Sequence, residues 1–188
     1  SDGSVKRLVI QGGRVVDPAA NCNHRRDVII EDGRIAGVCR PGASLVRKSR
    51  GHRVIDASGL HVLPGLIDLH VHLTSHVPSR LGDAHSTTVG AIANDVARHF
   101  LDSGFTTIRD AGGTHPDLAR AIEAGVVYGP RVFPSGAILS QTGGHGDWRH
   151  PAAPHPMLES GSPFTESDTG VLVDGVDQHL AAARENLR

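Results

Sequence analysis

The stretch that most restricts this chain is the apolar run Val62-Leu63-Pro64-Gly65-Leu66-Ile67-Asp68-Leu69-His70-Val71-His72-Leu73. Its core is continuous rather than alternating, which predicts a strand buried on both faces, as in parallel sheets covered by helices. The residues C-terminal to it fit such a sheet. Residues 86–103 carry apolar side chains at helical spacing (Val89, Ile92, Ala93, Val96, Phe100) and stop at Ser103-Gly104. Phe105-Thr106-Thr107-Ile108-Arg109-Asp110 predicts a second strand. Residues 116–124 predict a short helix, with Pro116 at its first position, Thr114 nearby as a candidate cap and Gly125 as its stop. Residues 131–140 predict a third strand, made irregular by Pro134 and Gly136. A Gly-, His- and Pro-rich segment from Gln141 to about Thr169 is too long for a plain connector and has the length of a functional loop. Residues 171–188 predict a helix. Strand and helix in alternation imply a parallel sheet of βα units, for which a (β/α)8 TIM barrel is the leading architecture. A full barrel takes about 250 residues, roughly 31 per unit. Residues 61–188 therefore supply its first three to four units and cannot close it. The expectation is an α/β chain forming the N-terminal part of such a barrel, with the remainder of the barrel as its partner. An open sheet with a bare apolar face would otherwise invite aggregation.

Ahead of this lies a segment of different character. Residues 5–16 predict two short strands around a Gly12-Gly13 turn, and residues 27–38 predict a hairpin at Asp32-Gly33. Arg53-Val54-Ile55-Asp56 predicts a further strand, ended by Ala57-Ser58-Gly59. Residues 1–60 thus form a small all-β module, too thin to bury much area alone, that leans on the domain at 61–188. A net charge of -1 gives no support to nucleic acid or an acidic membrane surface as partner. No apolar run approaches the roughly 20 residues that span a bilayer. The polar start, Ser1-Asp2-Gly3-Ser4, lacks the apolar segment of a signal peptide and reads as a processed terminus or a cloning remnant. Cys22 and Cys39 form neither a C-x-x-C pair nor a disulfide framework. Reduced thiols in the cytoplasm are the expectation, with a periplasmic origin as the alternative.

Chemistry concentrates at His70 and His72. They stand two apart on a strand, so both imidazoles share a face with Asp68, while Leu69 and Val71 point to the other. In a barrel the carboxyl ends of the strands form the catalytic mouth. Two neutral imidazoles there suit one divalent ion, zinc by ligand type. In a chain with 13 histidines the pair is, by itself, equally compatible with two ordinary residues at a strand end.

The surrounding residues resemble a known family. Leu63-Pro64-Gly65-Leu66-Ile67-Asp68-Leu69-His70-Val71-His72 resembles the P-G-[LFM]-I-D-x-H-x-H signature of the amidohydrolase superfamily. The stretch Gly104-Phe105-Thr106-Thr107-Ile108-Arg109-Asp110-Ala111-Gly112-Gly113 resembles the second strand of its imidazolonepropionase-like branch. Gly129-Pro130-Arg131-Val132 and Thr142-Gly143-Gly144-His145-Gly146-Asp147 resemble that branch's third strand and the loop after it. The front module, with Gly33-Arg34-Ile35 and Ile55-Asp56-Ala57-Ser58-Gly59, is similar to the superfamily's β-sandwich.

The resemblance implies that His70 and His72 are metal ligands for one or two divalent ions, and that His145 contacts a substrate carboxylate. The family's strand-four lysine, its further histidines and its catalytic aspartate match nothing here, so no catalytic residue is assignable in this chain; the lysine is expected shortly after Arg188. The implied substrate is a small-molecule amide, a dipeptide or N-acyl amino acid, as for prolidase-like and ochratoxin-type enzymes. The alternatives are a cyclic amidase of the imidazolonepropionase type and a non-catalytic scaffold. A homo-oligomer is the expected assembly. Asp68 is expected to orient a histidine or the turn, and Arg109 with Asp110 to form an ion pair or a strand cap. His76, His85, His115, His150 and His155 are expected to be solvated or merely packed.

Overall fold

The structure is a computed structural model that describes residues 7–43, 52–76, 86–147, 149, 152, 154–155 and 170–187. The chain divides into two compact units, Ser1–Pro64 and Gly65–Arg188.

The first unit is a mixed five-stranded sheet of β1 (Arg7–Asp17), β2 (Cys22–Glu31), β3 (Arg34–Cys39), β4 (His52–Asp56) and β5 (His61–Val62). Its order is β3-β2-β1-β4, and β5 also pairs with β1. The described residues of this unit form one sheet, and the second layer of the expected sandwich is not seen among them. The hairpin at Asp32-Gly33 forms with φ of 49° and 73°, the left-handed pair that a two-residue turn between twisted strands demands. Gly12-Gly13 behaves differently from the expected turn: β1 runs straight through it as one strand. The register against β2 passes from Ile10↔Val28 to Gly13↔Arg26, so one extra residue bulges out of β1. Gly12 takes φ 73° there and donates its N–H to the buried Asp27 carboxylate at 2.8 Å. A side chain on Gly13 would meet Val62 at 2.6 Å, where β1 leaves β4 for β5. A glycine pair satisfies a bulge as well as a turn, and the partner strands decide between them.

The described residues of the second unit form two parallel sheets. The larger, in order β6-β7-β8, consists of β6 (Leu66–Val71), β7 (Phe105–Asp110) and β8 (Arg131–Phe133). Parallel pairing needs crossovers, and helices α1 (Ser86–Asp102) and α2 (Pro116–Glu123) supply them. Residues Val89, Ala93 and Ala97 of α1 recur at four-residue spacing and are buried. Ala93 and Ala97 meet Leu73, Ile108, Val132, Val71 and Ala119 in an apolar core. Ile108 and Leu73 are 0% exposed, each worth about 1.5–3 kcal/mol of burial. Phe100 closes α1 against Phe105 in an edge-to-face contact with centroids 5.7 Å apart. Between them Gly104, at φ 94°, makes the left-handed exit from the helix.

The structure departs from several sequence expectations. The strand at 62–73 begins only at Leu66. Its two-sided burial is not observed, since Leu66, Ile67 and Leu69 are exposed: β6 is an edge strand with a neighbour on one side only among the described residues. The third strand breaks in two, because Pro134 has no N–H to donate and Gly136 turns through φ 74°. Its first half is β8. Its second half, β9 (Ile138–Ser140), pairs in parallel with β10 (Gly170–Leu172) as a separate sheet. The helix expected over 171–188 is α3 (Val176–Asn186), because Val171, Leu172 and Val173 go into a buried strand and the residue after it. The cap of α2 is His115, whose ring nitrogen accepts from Asp117 N–H, rather than Thr114. Among the described residues, no helix is long and apolar enough to cross a membrane.

Candidate functional site

The carboxyl end of β6 carries His70 and His72, and its backbone is irregular there. Against β7 the register moves from Asp68↔Ile108 to Val71↔Asp110, so three steps of β6 face two of β7. The bulge takes Leu69 and His70 out of the ladder, and their backbone groups need other partners. The Asp68 carboxylate accepts His70 N–H at 3.0 Å, and Arg109 Nε donates to the Leu69 carbonyl at 2.5 Å. Asp68 thus holds the backbone at a histidine, as expected of it. Arg109 is committed to the bulge, and no ion pair joins it to Asp110 among the described residues.

The two imidazoles lie side by side, with ring centroids 5.2 Å apart and planes at 74°. His70 is exposed and His72 half-buried. His72 Nδ1 stands 3.3 Å from the Gly112 carbonyl oxygen. A carbonyl can only accept, so Nδ1 carries a hydrogen, and in the neutral ring Nε2 then keeps its lone pair. That is the tautomer of a ring whose far nitrogen is a ligand and whose near one is anchored. The donor set therefore fits half of a metal site. Among the described residues no group of three or more His, Cys, Asp or Glu side chains could hold an ion.

His145 lies in the turn after β9. Here the backbone folds tightly on itself: Gly144 N–H donates to the Gln141 carbonyl and Asp147 N–H to the Gly144 carbonyl. A side chain on Gly144 would fall 2.5 Å from Ser140 Oγ, so only glycine fits. Two carboxylates clamp the turn. Asp174 accepts from both Thr142 N–H (2.9 Å) and Thr142 Oγ1 (2.7 Å). Asp147 accepts from Gly143 N–H at 2.8 Å and pairs with Arg149 through two nitrogens, at 2.8 and 2.7 Å. The Arg149 hydrogen bonds, with Gly143 N–H behind them, hold the Asp147 carboxyl well below the usual carboxylate range. Bonding to Thr142, side chain first and then backbone, lowers that of Asp174. The His145 side chain is left exposed on this fixed turn.

One side chain relates the two places. A side chain on Gly112, the partner of His72, would fall 2.2 Å from Ile138 Cγ1; one on Gly146, beside His145, would fall 3.0 Å from Ile138 Cγ2. Ile138 is thus the shared neighbour of the backbone at both. The sequence reading missed this contact, and it missed the clamps of Asp174 and of Asp147 with Arg149. A signal was available for Asp174, an acid placed between an apolar run and the glycine that opens α3. Of the remaining histidines, His115 is an exposed helix cap and His155 is packed, 3.8 Å from the Asp174 carboxylate. His85 and His150 lie outside the described residues, as does the side chain of His76.

The amidohydrolase family model matches residues 61–188. The chain belongs to the amidohydrolase family. It is 38% identical over 147 residues to a dihydroorotase of Anaeromyxobacter dehalogenans (strain 2CP-C), a stretch covering 73% of this chain and 30% of that protein. Its mixed α/β fold matches a solved prolidase, complexed with N-methylphosphonate-L-proline, at 34% identity and a TM-score of 0.79, over 96% of this chain and 44% of the other. An ochratoxinase of A. niger matches at 27% identity and a TM-score of 0.73, over 98% and 45%. The chain spans less than half the length of each of these amidohydrolase relatives.

Proposed function

We propose that this chain is the N-terminal part of a metal-dependent amidohydrolase, a β-sandwich module followed by the opening units of a (β/α)8 barrel, which cleaves the amide bond of a dipeptide or N-acyl amino acid. The observation that carries the reading is the pair of adjacent imidazoles at the carboxyl end of β6, with His72 anchored through Nδ1 so that Nε2 keeps its lone pair as a donor. His70 and His72 would hold one or two divalent ions, zinc by ligand type. When bound, such an ion supplies Lewis-acid polarisation of a carbonyl and a nucleophile at neutral pH. His145, exposed on a clamped turn, is suited to a substrate carboxylate, because a charge-assisted contact from a fixed loop orients the amide without a large ordering cost. The prolidase and ochratoxinase among the similar structures support an acyclic amide substrate. The dihydroorotase relatives favour a second reading, a cyclic amidase with the same ligand pair. The remainder of the barrel would supply the other ligands and the proton-transferring carboxylate. Cysteine usage supports a cytoplasmic location, and a homo-oligomer is the proposed assembly.

The test is transition-metal content by mass spectrometry on the protein as isolated, beside a His70→Ala/His72→Ala double mutant, with turnover of N-acyl amino acids and cyclic amides measured next. About one or two equivalents of metal in the wild type, lost in the mutant, and hydrolysis of an N-acyl amino acid are expected. Equal metal content in both proteins removes the ligand assignment. Turnover of cyclic amides alone decides for the second reading.

A further inference from the structure

Asp110, the last residue of β7, is 0% exposed. Its Oδ2 accepts from Leu73 N–H at 2.7 Å and from Thr114 Oγ1 at 2.8 Å, and its Oδ1 accepts from Gly112 N–H at 3.0 Å. Two of these partners flank His72. Leu73 is its neighbour in the chain, and Gly112 presents the carbonyl that faces its Nδ1 at 3.3 Å. Ala111 N–H donates to the Val71 carbonyl at 2.8 Å and closes the frame on the preceding side. Thr114, itself 1% exposed, completes the carboxylate from the turn before α2. A single buried carboxylate therefore holds the peptide that follows His72 and, through Gly112 N–H, the near side of the residue whose carbonyl faces its ring, while Gly113 N–H, in the same peptide as that carbonyl, donates to the Gly136 carbonyl at 2.8 Å.

We propose that Asp110 is a positioning residue for His72, and that with Thr114 it selects the imidazole tautomer protonated at Nδ1, leaving Nε2 free to donate its lone pair. A carbonyl favours the Nδ1–H form only while it stays within hydrogen-bond reach. The Gly112 carbonyl lies in a glycine-rich turn, held on the far side by the bond from Gly113 N–H to Gly136 and on the near side, together with the backbone at Leu73, by Asp110. The consequence for metal affinity rests on the ligand role proposed above for His72; the tautomer itself does not.

The experiment uses the full chain, labelled with 15N at histidine, and reads the ring tautomers from two-bond 1H–15N correlations. The His72 signal is assigned by its loss in His72→Gln. Wild type should show His72 in the Nδ1–H form alone. Asp110→Asn places an amide –NH2 against backbone donors and should yield a mixture of both tautomers. Thr114→Val removes one bond from the carboxylate and should produce a smaller shift the same way, with Thr114→Ser restoring the wild-type signal. If Asp110→Asn does not fold, Thr114→Val and its serine rescue decide alone. Zinc titration of the same proteins should show affinity weakened about 10- to 100-fold in the variants, the range for lost outer partners of metal-bound histidines. A shifted tautomer with no zinc bound by any form upholds the positioning role and rejects the metal reading. An unchanged Nδ1–H signal in folded Asp110→Asn and Thr114→Val overturns the proposal.

Discussion

Replacing Gly112 by alanine tests the packing beneath His72. Gly112 is not among the residues with positive φ, so the substitution carries no backbone strain and its cost is steric. The new methyl would stand 2.2 Å from Ile138 Cγ1 and 2.7 Å from Ile138 Cδ1, against about 3.5–4.0 Å for a relaxed carbon contact. The shortfall must be absorbed by the Ile138 rotamer or the strand beneath it, an overpacking of about 1–3 kcal/mol. The clash lies wholly in two atoms, because Ile138 Cβ is 3.6 Å away and already at ordinary distance. Ile138→Ala removes both. Ile138 is only half-buried, so that change alone should cost about 2 kcal/mol, the low end of its class. The double mutant should then be more stable than the sum of the singles predicts by about 1–2 kcal/mol, the excluded overlap having nowhere to arise. Urea unfolding of the four proteins, monitored by far-UV circular dichroism, measures this coupling. Additivity within about 0.5 kcal/mol, the behaviour of independent sites, would refute the contact and with it the link between the His72 and His145 regions.

Three more outcomes concern the clamped turn and the first sheet. The Asp147 carboxyl is depressed by Arg149, so its contribution is present above the unfolded-state value of about 3.9 and is lost only as pH falls through the lower folded value. Amide exchange at Gly143 should stay protected at about pH 4 and lose protection only in stronger acid; loss already near pH 5 would contradict the pairing. Asp174→Ala frees both bonds of Thr142, so proteolysis and amide exchange across residues 141–147 should accelerate while the melting of the β6–β8 sheet is unchanged. Gly33 has open space around it but sits at φ 73°, so Gly33→Ala should cost about 1–2 kcal/mol from backbone strain alone, read by thermal melting.

Local features read truly where the chemistry was local. The Asp32-Gly33 turn, the Gly104 exit from α1 and the Pro116 start of α2 each depend on one or two residues' backbone preferences, and each forms as the residues predict. Gly12-Gly13 and residues 131–140 failed for the opposite reason. A bulge and a turn use the same glycines, and one strand or two depends on which neighbours pair with its halves. Arg109 beside Asp110 suggested an ion pair or a strand cap; strand alternation sends the two side chains apart, Arg109 to the bulge at Leu69 and Asp110 into the core, where it caps backbone N–H groups at the strand end.

The sequence by itself determined the family, the order of strands and helices from β6 through α2, and the adjacency of His70 and His72, since period-two geometry and motif order are written along the chain. Only the tertiary structure decided which nitrogen of His72 is anchored, that Asp110 holds its surroundings, and that Asp147, Arg149 and Asp174 fix the turn of His145. Some of those relations join residues far apart in the chain, as His72 with Gly112 and Thr142 with Asp174, and the others turn on side-chain direction. A hydrogen bond is satisfied by any donor that the packing brings within reach, and the packing is set by all the strands at once.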